Sequence, residues 1–347
     1  MDRNIIKEDL ENIISSDLPW EQFKDSTVLI SGANGFLPAY MVETLLYLNT
    51  VRNLNIKVIG LVRNKDKALN RFSNYKSRDD LKLLIQDVCD PIDWTDRIDY
   101  IVHAASQASP KYYGKDPVGT LKANVIGTSN LLELAKNKNL SGFLYFSSSE
   151  IYGQVDDANT PTNETAYGYL DPVNIRSCYA ESKRMGETIC VSWFHQYDIP
   201  IKIIRPFHSY GPRMALDDGR VYADFVANII EGNDIVLKSD GSAIRTFCYL
   251  TDAIKGFFTV LLKGENGHAY NVGNPECKAS ILELANQLVD IFVEKGLRVI
   301  RHDVPCQGYI QSKVSRSIPD ITKIKDLGWI PTTSINSGFK RTVESFL

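Results

Sequence analysis

Tyr179 and Lys183 are four residues apart, so on a helix they lie on one face, one turn from each other. An ammonium beside a phenol favours the phenolate. Free tyrosine titrates at about 10, and a downward shift of a few units makes Tyr179 a usable base near neutrality. The spacing also arises by chance on many helices, so its surroundings decide. The apolar run Phe143-Leu144-Tyr145-Phe146 reads as a buried parallel strand. It leads into Ser147-Ser148-Ser149-Glu150-Ile151-Tyr152-Gly153. After a polar, proline-containing loop, the helix that carries the pair opens at Cys178 and runs to about Tyr197.

A second group of residues suits a dinucleotide. Thr27-Val28-Leu29-Ile30 is a first strand, followed by Ser31-Gly32-Ala33-Asn34-Gly35-Phe36-Leu37-Pro38 and the helical pattern of Met41, Leu45, Leu46 and Leu48. Gly32 and Gly35 let the backbone approach a pyrophosphate at the helix N-terminus. Pro38 stands where a third glycine is usual. A first helical turn accepts proline, but helix–strand packing there must be solved differently. The second strand, Lys57–Val62, ends in Arg63-Asn64. An acid at that place would bind the ribose hydroxyls of NAD, and an arginine accepts the 2′-phosphate of NADP. Arg63 equally suits stacking on the adenine or a solvated strand-end charge, so NAD is expected with NADP open. A third strand, 82–85, runs into Asp87-Val88, where Asp87 is placed to meet the adenine. The fourth, 100–102, gives His103-Ala104-Ala105-Ser106. Small residues there let a cofactor ribose lie against the strand end, and His103 reads as a satisfied core histidine. The next helix, 117–137, carries Asn124 among apolar residues.

Ahead of the first strand, Ile5, Ile6, Leu10, Ile13 and Ile14 predict a short docking helix. Strand six, 200–205, leads to Pro206-Phe207-His208-Ser209-Tyr210-Gly211-Pro212-Arg213. After Arg220, Val221, Phe225, Val226 and Ile229 make an amphipathic helix. Residues 235–237 and 245–249 read as two short strands around the Asp240-Gly241 turn. A helix 251–263, a strand 269–272, a helix near 281–295, a strand 297–300 and an amphipathic C-terminal helix complete the pattern. Arg316 and Asp320 read as a structural pairing of the tail. Alternating strands and helices with a phosphate loop after strand one imply an α/β fold, a Rossmann-like doubly wound parallel sheet. Its strand ends place Gly32–Gly35, Ala104–Ser106, Ser147–Glu150 and Pro206–His208 along one crevice, faced by Tyr179 and Lys183.

A chain of 347 residues suggests two domains or one large α/β unit. Its 44% apolar and 23% charged residues are ordinary for a soluble globular protein. A net charge of −3 argues against a general nucleic-acid surface. No apolar run of about 18 residues marks a membrane span, and Met1-Asp2-Arg3-Asn4 has no signal-peptide pattern. Cys89, Cys178, Cys190, Cys248, Cys277 and Cys306 are scattered without metal-ligand spacing, which points to no metal and to reduced cytoplasmic thiols.

The glycine loop, Tyr179-x-x-x-Lys183 and Arg205-Pro206 with Tyr210-Gly211-Pro212 together resemble the extended short-chain dehydrogenase/reductases that act on nucleotide sugars, from about residue 26 to the end. Within that superfamily the chain is most similar to the UDP-glucuronate decarboxylases. The similarity rests on Ser148-Ser149-Glu150-Ile151-Tyr152-Gly153, Arg176-Ser177-Cys178-Tyr179 with Lys183-Arg184, Gly211-Pro212-Arg213-Met214 and Asp218-Gly219-Arg220-Val221. It continues through Gly241-Ser242 with Arg245-Thr246-Phe247 and Asn271-Val272-Gly273-Asn274-Pro275-Glu276. The resemblance implies a dinucleotide-binding domain at 1–207, to which 244–273 return, and a smaller C-terminal domain, mainly 208–347, for the nucleotide sugar. It also implies a homodimer formed through helices 117–137 and 179–197.

Carried over by position, the catalytic residues are Tyr179 as base, Lys183 as its partner on the nicotinamide ribose, Ser148 on the sugar O4, Ser149, and Glu150 at sugar C5. The cofactor would lie on Gly32, Asn34, Gly35, Phe36, Leu37, Arg63, Asp87, Val88, Ala104, Ala105, Ser106, Asn124, Ser147, Tyr179, Lys183, Pro206 and His208. The nucleotide sugar would lie on Ser148, Glu150, Tyr179, His208, Arg213, Arg220, Val221, Phe225 and Arg245. The chain departs from the decarboxylases at His208, where they usually have Asn, at Ala180-Glu181-Ser182, where they have Asp-Glu-Gly, and at Arg63, where they have an acid.

In such enzymes removal of hydride from C4 and of the O4 proton makes a 4-keto sugar, and a C5 carboxylate becomes a β-keto acid that loses CO₂ readily. The hydride then returns, so no net redox occurs. Position 149 discriminates among the outcomes. The 4,6-dehydratases place an Asp-Glu pair at 149 and 150, and Ser149 is a poor general acid. Plain 4-epimerases normally lack the glutamate, so Glu150 argues for chemistry at C5, against the bland alternative of a solvated loop carboxylate. Decarboxylation of UDP-glucuronate to UDP-xylose is thus expected, with a 4-epimerase or 4,6-dehydratase as the alternative. A regulatory protein that senses NADP on the same fold would commonly lose the tyrosine–lysine pair that this chain keeps.

Overall fold

The computed structural model describes residues 3–301 and 314–347; Met1, Asp2 and Cys306 lie outside them. Seven parallel strands form the central sheet: β1 (Thr27–Ser31), β2 (Lys57–Val62), β3 (Leu81–Ile85), β4 (Tyr100–His103), β5 (Gly142–Phe146), β6 (Ile201–Pro206) and β7 (Ala269–Val272). Their order is β7-β6-β5-β4-β1-β2-β3. The direction of winding reverses between β1 and β4, and a crevice opens there at the carboxyl ends.

The helices are α1 (Arg3–Ile14), α2 (Phe36–Arg52), α3 (Lys65–Arg71), α4 (Pro117–Lys136), α5 (Ser177–Tyr197), α6 (Val221–Glu231), α7 (Leu250–Lys263), α8 (Ile281–Ile291), α9 (Thr322–Lys325) and α10 (Ile335–Glu344). Side chains alternate across each strand, so the sheet divides into two cores. Val28 and Ile30 of β1 point to Met41 and Leu45 of α2 and to Phe257 and Phe258 of α7. Leu29 points the other way, with Phe143 and Tyr145 of β5, Leu131 of α4 and Cys190 of α5. The docking helix expected near the N-terminus is α1, and it packs on α2 and α7. Gly186 lets α5 approach β5 closely: a Cβ there would stand 1.9 Å from the Tyr145 hydroxyl.

Two local expectations change. The segments around Asp240-Gly241 do form strands, but not with each other. Ile235–Leu237 pairs in parallel with Val299–Arg301, while Ile244–Thr246 pairs with Lys278–Ser280 and Arg316–Ser317. The turn is too long and polar for a tight hairpin, and Ile235 and Leu237 are buried in the large core that also takes α6 and α8. Arg316 pairs with Asp157 at 3.7 Å rather than with Asp320. Asp320 instead accepts from Thr322, ahead of α9.

Candidate active site

The site starts at the end of β1. Gly32 has φ +65°, and a Cβ on it would stand 2.7 Å from Ala105 Cα. Only glycine both adopts this conformation readily and lets the β1 and β4 loops come so close. Gly35 N donates to Gly32 O at 2.8 Å, closing the turn so that α2 begins at Phe36 with its N-terminus towards the crevice. Below this turn, Ser31 Oγ accepts from the Ala104 and Ala105 N–H groups and bonds His103 Nδ1 at 2.8 Å. His103 Nε2 meets Thr128 Oγ1 at 3.0 Å. Burial pulls this imidazole down to about 3. His103 is the satisfied core histidine expected from the sequence, and it fixes the β4 loop.

A cavity of about 490 Å³ runs along the strand ends. It is lined by Gly32, Asn34, Gly35, Phe36, Leu37, Arg63, Asp87, Val88, Ala104, Ala105, Ser106, Ser147, Ser148, Ser149, Glu150, Tyr179, Lys183, Pro206, His208 and Arg220. The sequence-expected residues thus converge in large part on one space. At one end Arg63 faces Asp87 at 3.5 Å, with Lys67 beside them on the wall. In the middle, Ser106 Oγ and Ser147 Oγ are buried without a hydrogen-bond partner. Buried hydroxyls are normally paired, so these two point to a polar ligand. Together with the glycine turn and the helix N-terminus, they fit a dinucleotide.

At the other end lies the group that can move protons. Lys183 Nζ donates to Phe146 O at 2.5 Å and lies 5.9 Å from the centre of the Tyr179 ring. Burial pulls this ammonium down to about 7. Burial pushes the Tyr179 phenol up to about 12, and the Glu150 carboxylate adds to the rise; a hydrogen bond with Ser148 and the Arg220 charge oppose it. This reverses the direction expected from the four-residue spacing. The ammonium is held by a strand carbonyl and is itself penalised by burial, so it does not offset the desolvation of the phenol. In the chain alone Tyr179 is a protonated phenol at neutrality. Ser148 Oγ also accepts from Glu150 N at 3.2 Å, fixing the turn after β5. Glu150 is part-exposed at the cavity wall, 3.9 Å from Arg176.

Five expected ligand residues do not line the cavity. Asn124 is buried between α4 and α5 and donates to Ser182 Oγ at 2.9 Å. Arg213 pairs with Glu43 of α2 at 2.6 Å. Val221 opens α6, and Phe225 is fully buried in the large core. Arg245 donates to the carbonyls of Ile244, Ser315 and Val314. His208 does line the cavity, its Nδ1 buried and unpartnered; burial and the charges of Arg245 and Arg220 pull it down to about 3. The cavity also has residues to which the sequence assigned no role, Gln107 and Tyr222; Tyr113, equally unassigned, does not line it but stacks on the ring of Tyr179. Tyr113 follows the β4 loop by several residues, and only the fold brings it to α5.

The model of the NAD dependent epimerase/dehydratase family matches residues 28–273. UDP-glucuronic acid decarboxylase 4 of Arabidopsis thaliana is 34% identical over 325 residues, covering 92% of this chain and 68% of the relative. UDP-glucuronic acid decarboxylase 1 of Danio rerio is 33% identical over 324 residues, covering 92% and 72%. Among solved structures, the UDP-glucose 4-epimerase of Thermotoga maritima with UDP-glucose aligns with a TM-score of 0.79 at 25% identity, over 92% of this chain and 98% of that one. The UDP-glucuronic acid 4-epimerase of Bacillus cereus, in complex with UDP-glucuronic acid and NAD, shares the fold with a TM-score of 0.76 at 24% identity, over 92% and 98%.

Proposed function

The chain belongs to the NAD dependent epimerase/dehydratase family, and on that premise we propose that it converts UDP-glucuronate to UDP-xylose and CO₂. The observation that carries this reading is the meeting of Tyr179, Ser148 and Glu150 in one cavity with a serine, Ser149, between the last two. The decarboxylase names of relatives at 34% and 33% identity support it.

When bound, NAD supplies a reversible two-electron acceptor for C4, so the reaction has no net redox. Gly32 to Leu37 would hold its pyrophosphate, Arg63 and Asp87 its adenosine, and Ser106, Ser147 and Lys183 its inner half. Ser148 orients the sugar O4, and Tyr179 takes the O4 proton as its phenolate, the form that the positive charge of a bound oxidised nicotinamide would favour over the protonated phenol of the chain alone. With a ketone at C4, the C5 carboxylate leaves as CO₂ and its bonding electrons pass into an enolate. Glu150 then gives C5 the proton that replaces CO₂, and Tyr179 returns its proton to O4 when C4 is reduced. In balance, one proton is consumed and one CO₂ released. A serine at 149 offers no strong acid for expulsion of a 6-hydroxyl, which disfavours dehydration.

Residues 1–207 with 244–273 act as the dinucleotide-binding part and 208–347 mainly as the sugar-binding part. The protein works as a homodimer, for which apolar residues exposed on α4 and α5 speak. We place it in the cytoplasm, in keeping with free thiols at Cys89, Cys178, Cys190, Cys248 and Cys277.

The test is product NMR in D₂O with UDP-glucuronate. Deuterium at C5 of a pentose product is expected from wild type. Glu150→Gln is expected to accumulate reduced cofactor with a 4-keto or enol species in a single turnover. A product with unlabelled C5 and inverted C4 would make the protein a 4-epimerase.

A further inference from the structure

Tyr179 stands in the first turn of α5, whose N-terminus has no side-chain cap. A first turn has the fewest backbone bonds to hold its side chains in place, yet the chemistry needs this phenol beside Ser148. Tyr113 lies directly against it. The two rings stack with centroids 5.2 Å apart and planes 15° apart, an offset stack of the kind aromatic pairs prefer. Tyr113 is fully buried but belongs to neither of the two large cores. Its buried apolar cluster is Cys178 and Tyr179, with Ala108 packed against them. The ring therefore does little for the fold beyond seating the start of α5.

The other contacts of Tyr113 lead to the same site. Its hydroxyl donates to Ala108 O at 3.2 Å, the carbonyl that also accepts from Arg220 Nη2 at 3.0 Å. The Arg176 guanidinium lies 5.7 Å from the Tyr113 ring centre and reaches Glu150 at 3.9 Å.

We propose that Tyr113 is a positioning residue whose ring, rather than its hydroxyl, holds the ring of Tyr179 in the place where its phenol reaches Ser148. The proposal rests on the reading of Tyr179 as the base. Displacing a reacting group by about 1 Å costs up to ~100-fold in rate, and loss of the stack acts on the chemical step more than on substrate binding.

The experiment compares Tyr113→Phe, which keeps the flat ring, with Tyr113→Met, which keeps an apolar side chain without one. Each is assayed for kcat and KM on UDP-glucuronate. Each is also prepared with ¹³C at tyrosine Cζ, the Tyr179 resonance being identified by its loss in Tyr179→Phe. Tyr113→Phe is expected within about threefold of wild type, with an unmoved Tyr179 resonance. Tyr113→Met is expected to lose about tenfold or more in kcat at a KM within about threefold, with a shifted or broadened resonance. A wild-type kcat in Tyr113→Met, or a tenfold loss in Tyr113→Phe, overturns the proposal. The resonance is independent of the sugar: wild type inactive on UDP-glucuronate sinks the substrate reading, whereas an unmoved Tyr179 signal in folded Tyr113→Met sinks this one. Should Tyr113→Met not fold, the signal in Tyr113→Phe decides, support if it is unmoved and refutation if it shifts.

Discussion

Tyr179 differs from phenylalanine by one hydroxyl, and that hydroxyl meets Ser148 in the cavity. Tyr179→Phe keeps the ring stack on Tyr113 and leaves the glycine turn untouched. It is expected to fold and to retain bound cofactor, while kcat falls by about 10²–10⁴; wild-type turnover would remove Tyr179 from the mechanism. At this scale the sequence is informative where the chemistry is local. Tyr179 and Lys183 share a helix face, and Ser148 and Glu150 share a turn, so spacing alone groups them. The direction of the phenol's shift was not legible. It depends on Phe146 O holding the Lys183 ammonium at 2.5 Å and on burial by elements far away in the chain. The same reason hides Tyr113, which has no periodic relation to Tyr179.

Among the elements, α2 carries the feature least expected from its pattern. Glu43 stands within the apolar series of Met41, Leu45 and Leu46 and is fully buried. Its two carboxylate oxygens accept from Arg71 of α3 at 2.8 and 2.9 Å. One of them also accepts from Arg213, in the loop after β6, at 2.6 Å. The network ties the first βαβ unit to the segment that leads on to Arg220. It also explains why Arg213, expected from the resemblance on the sugar, is directed at α2 instead. A polar residue in a helical apolar stripe announces a buried partner, but the partners come from two other elements and the sequence names neither. Removal of the acid leaves two largely buried guanidinium groups facing each other. Glu43→Ala is therefore expected to cost about 3–5 kcal/mol, read as a lowered urea midpoint. A loss below about 1 kcal/mol would show that the two arginines find water or other partners.

On the scale of the molecule, the alternation of strands and helices sufficed to place all seven strands, because each is a short apolar run and helices separate most of them, β3 and β4 excepted. The pairing of the short strands beyond β6 was not legible, since each has only two or three residues and takes its partner from a distant segment. How copies of the chain associate is also a question at this scale. α4 and α5 pack along each other, and both place their inner residues, Leu131, Leu132 and Cys190, in the core against the sheet. Their outer residues remain apolar at several positions: Val118, Leu121 and Ile126 on α4, and Met185 and Val191 on α5, are all at least 38% exposed. Two long antiparallel or parallel helices can bury such residues against the same pair of a second copy, the self-complementary arrangement of a two-fold dimer. Stable interfaces bury about 1,600 Å² in total, and two exposed helices of 20 and 21 residues offer a face of that order. A dimer is expected by light scattering at micromolar concentration. The double variant Ile126→Glu with Met185→Glu, which places like charges on that face, is expected to run as a monomer. Its Tyr179 and Lys183 stay on the inner side of α5, so cofactor binding should persist. A monomeric wild type, or a double variant that remains dimeric, would move the interface away from α4 and α5.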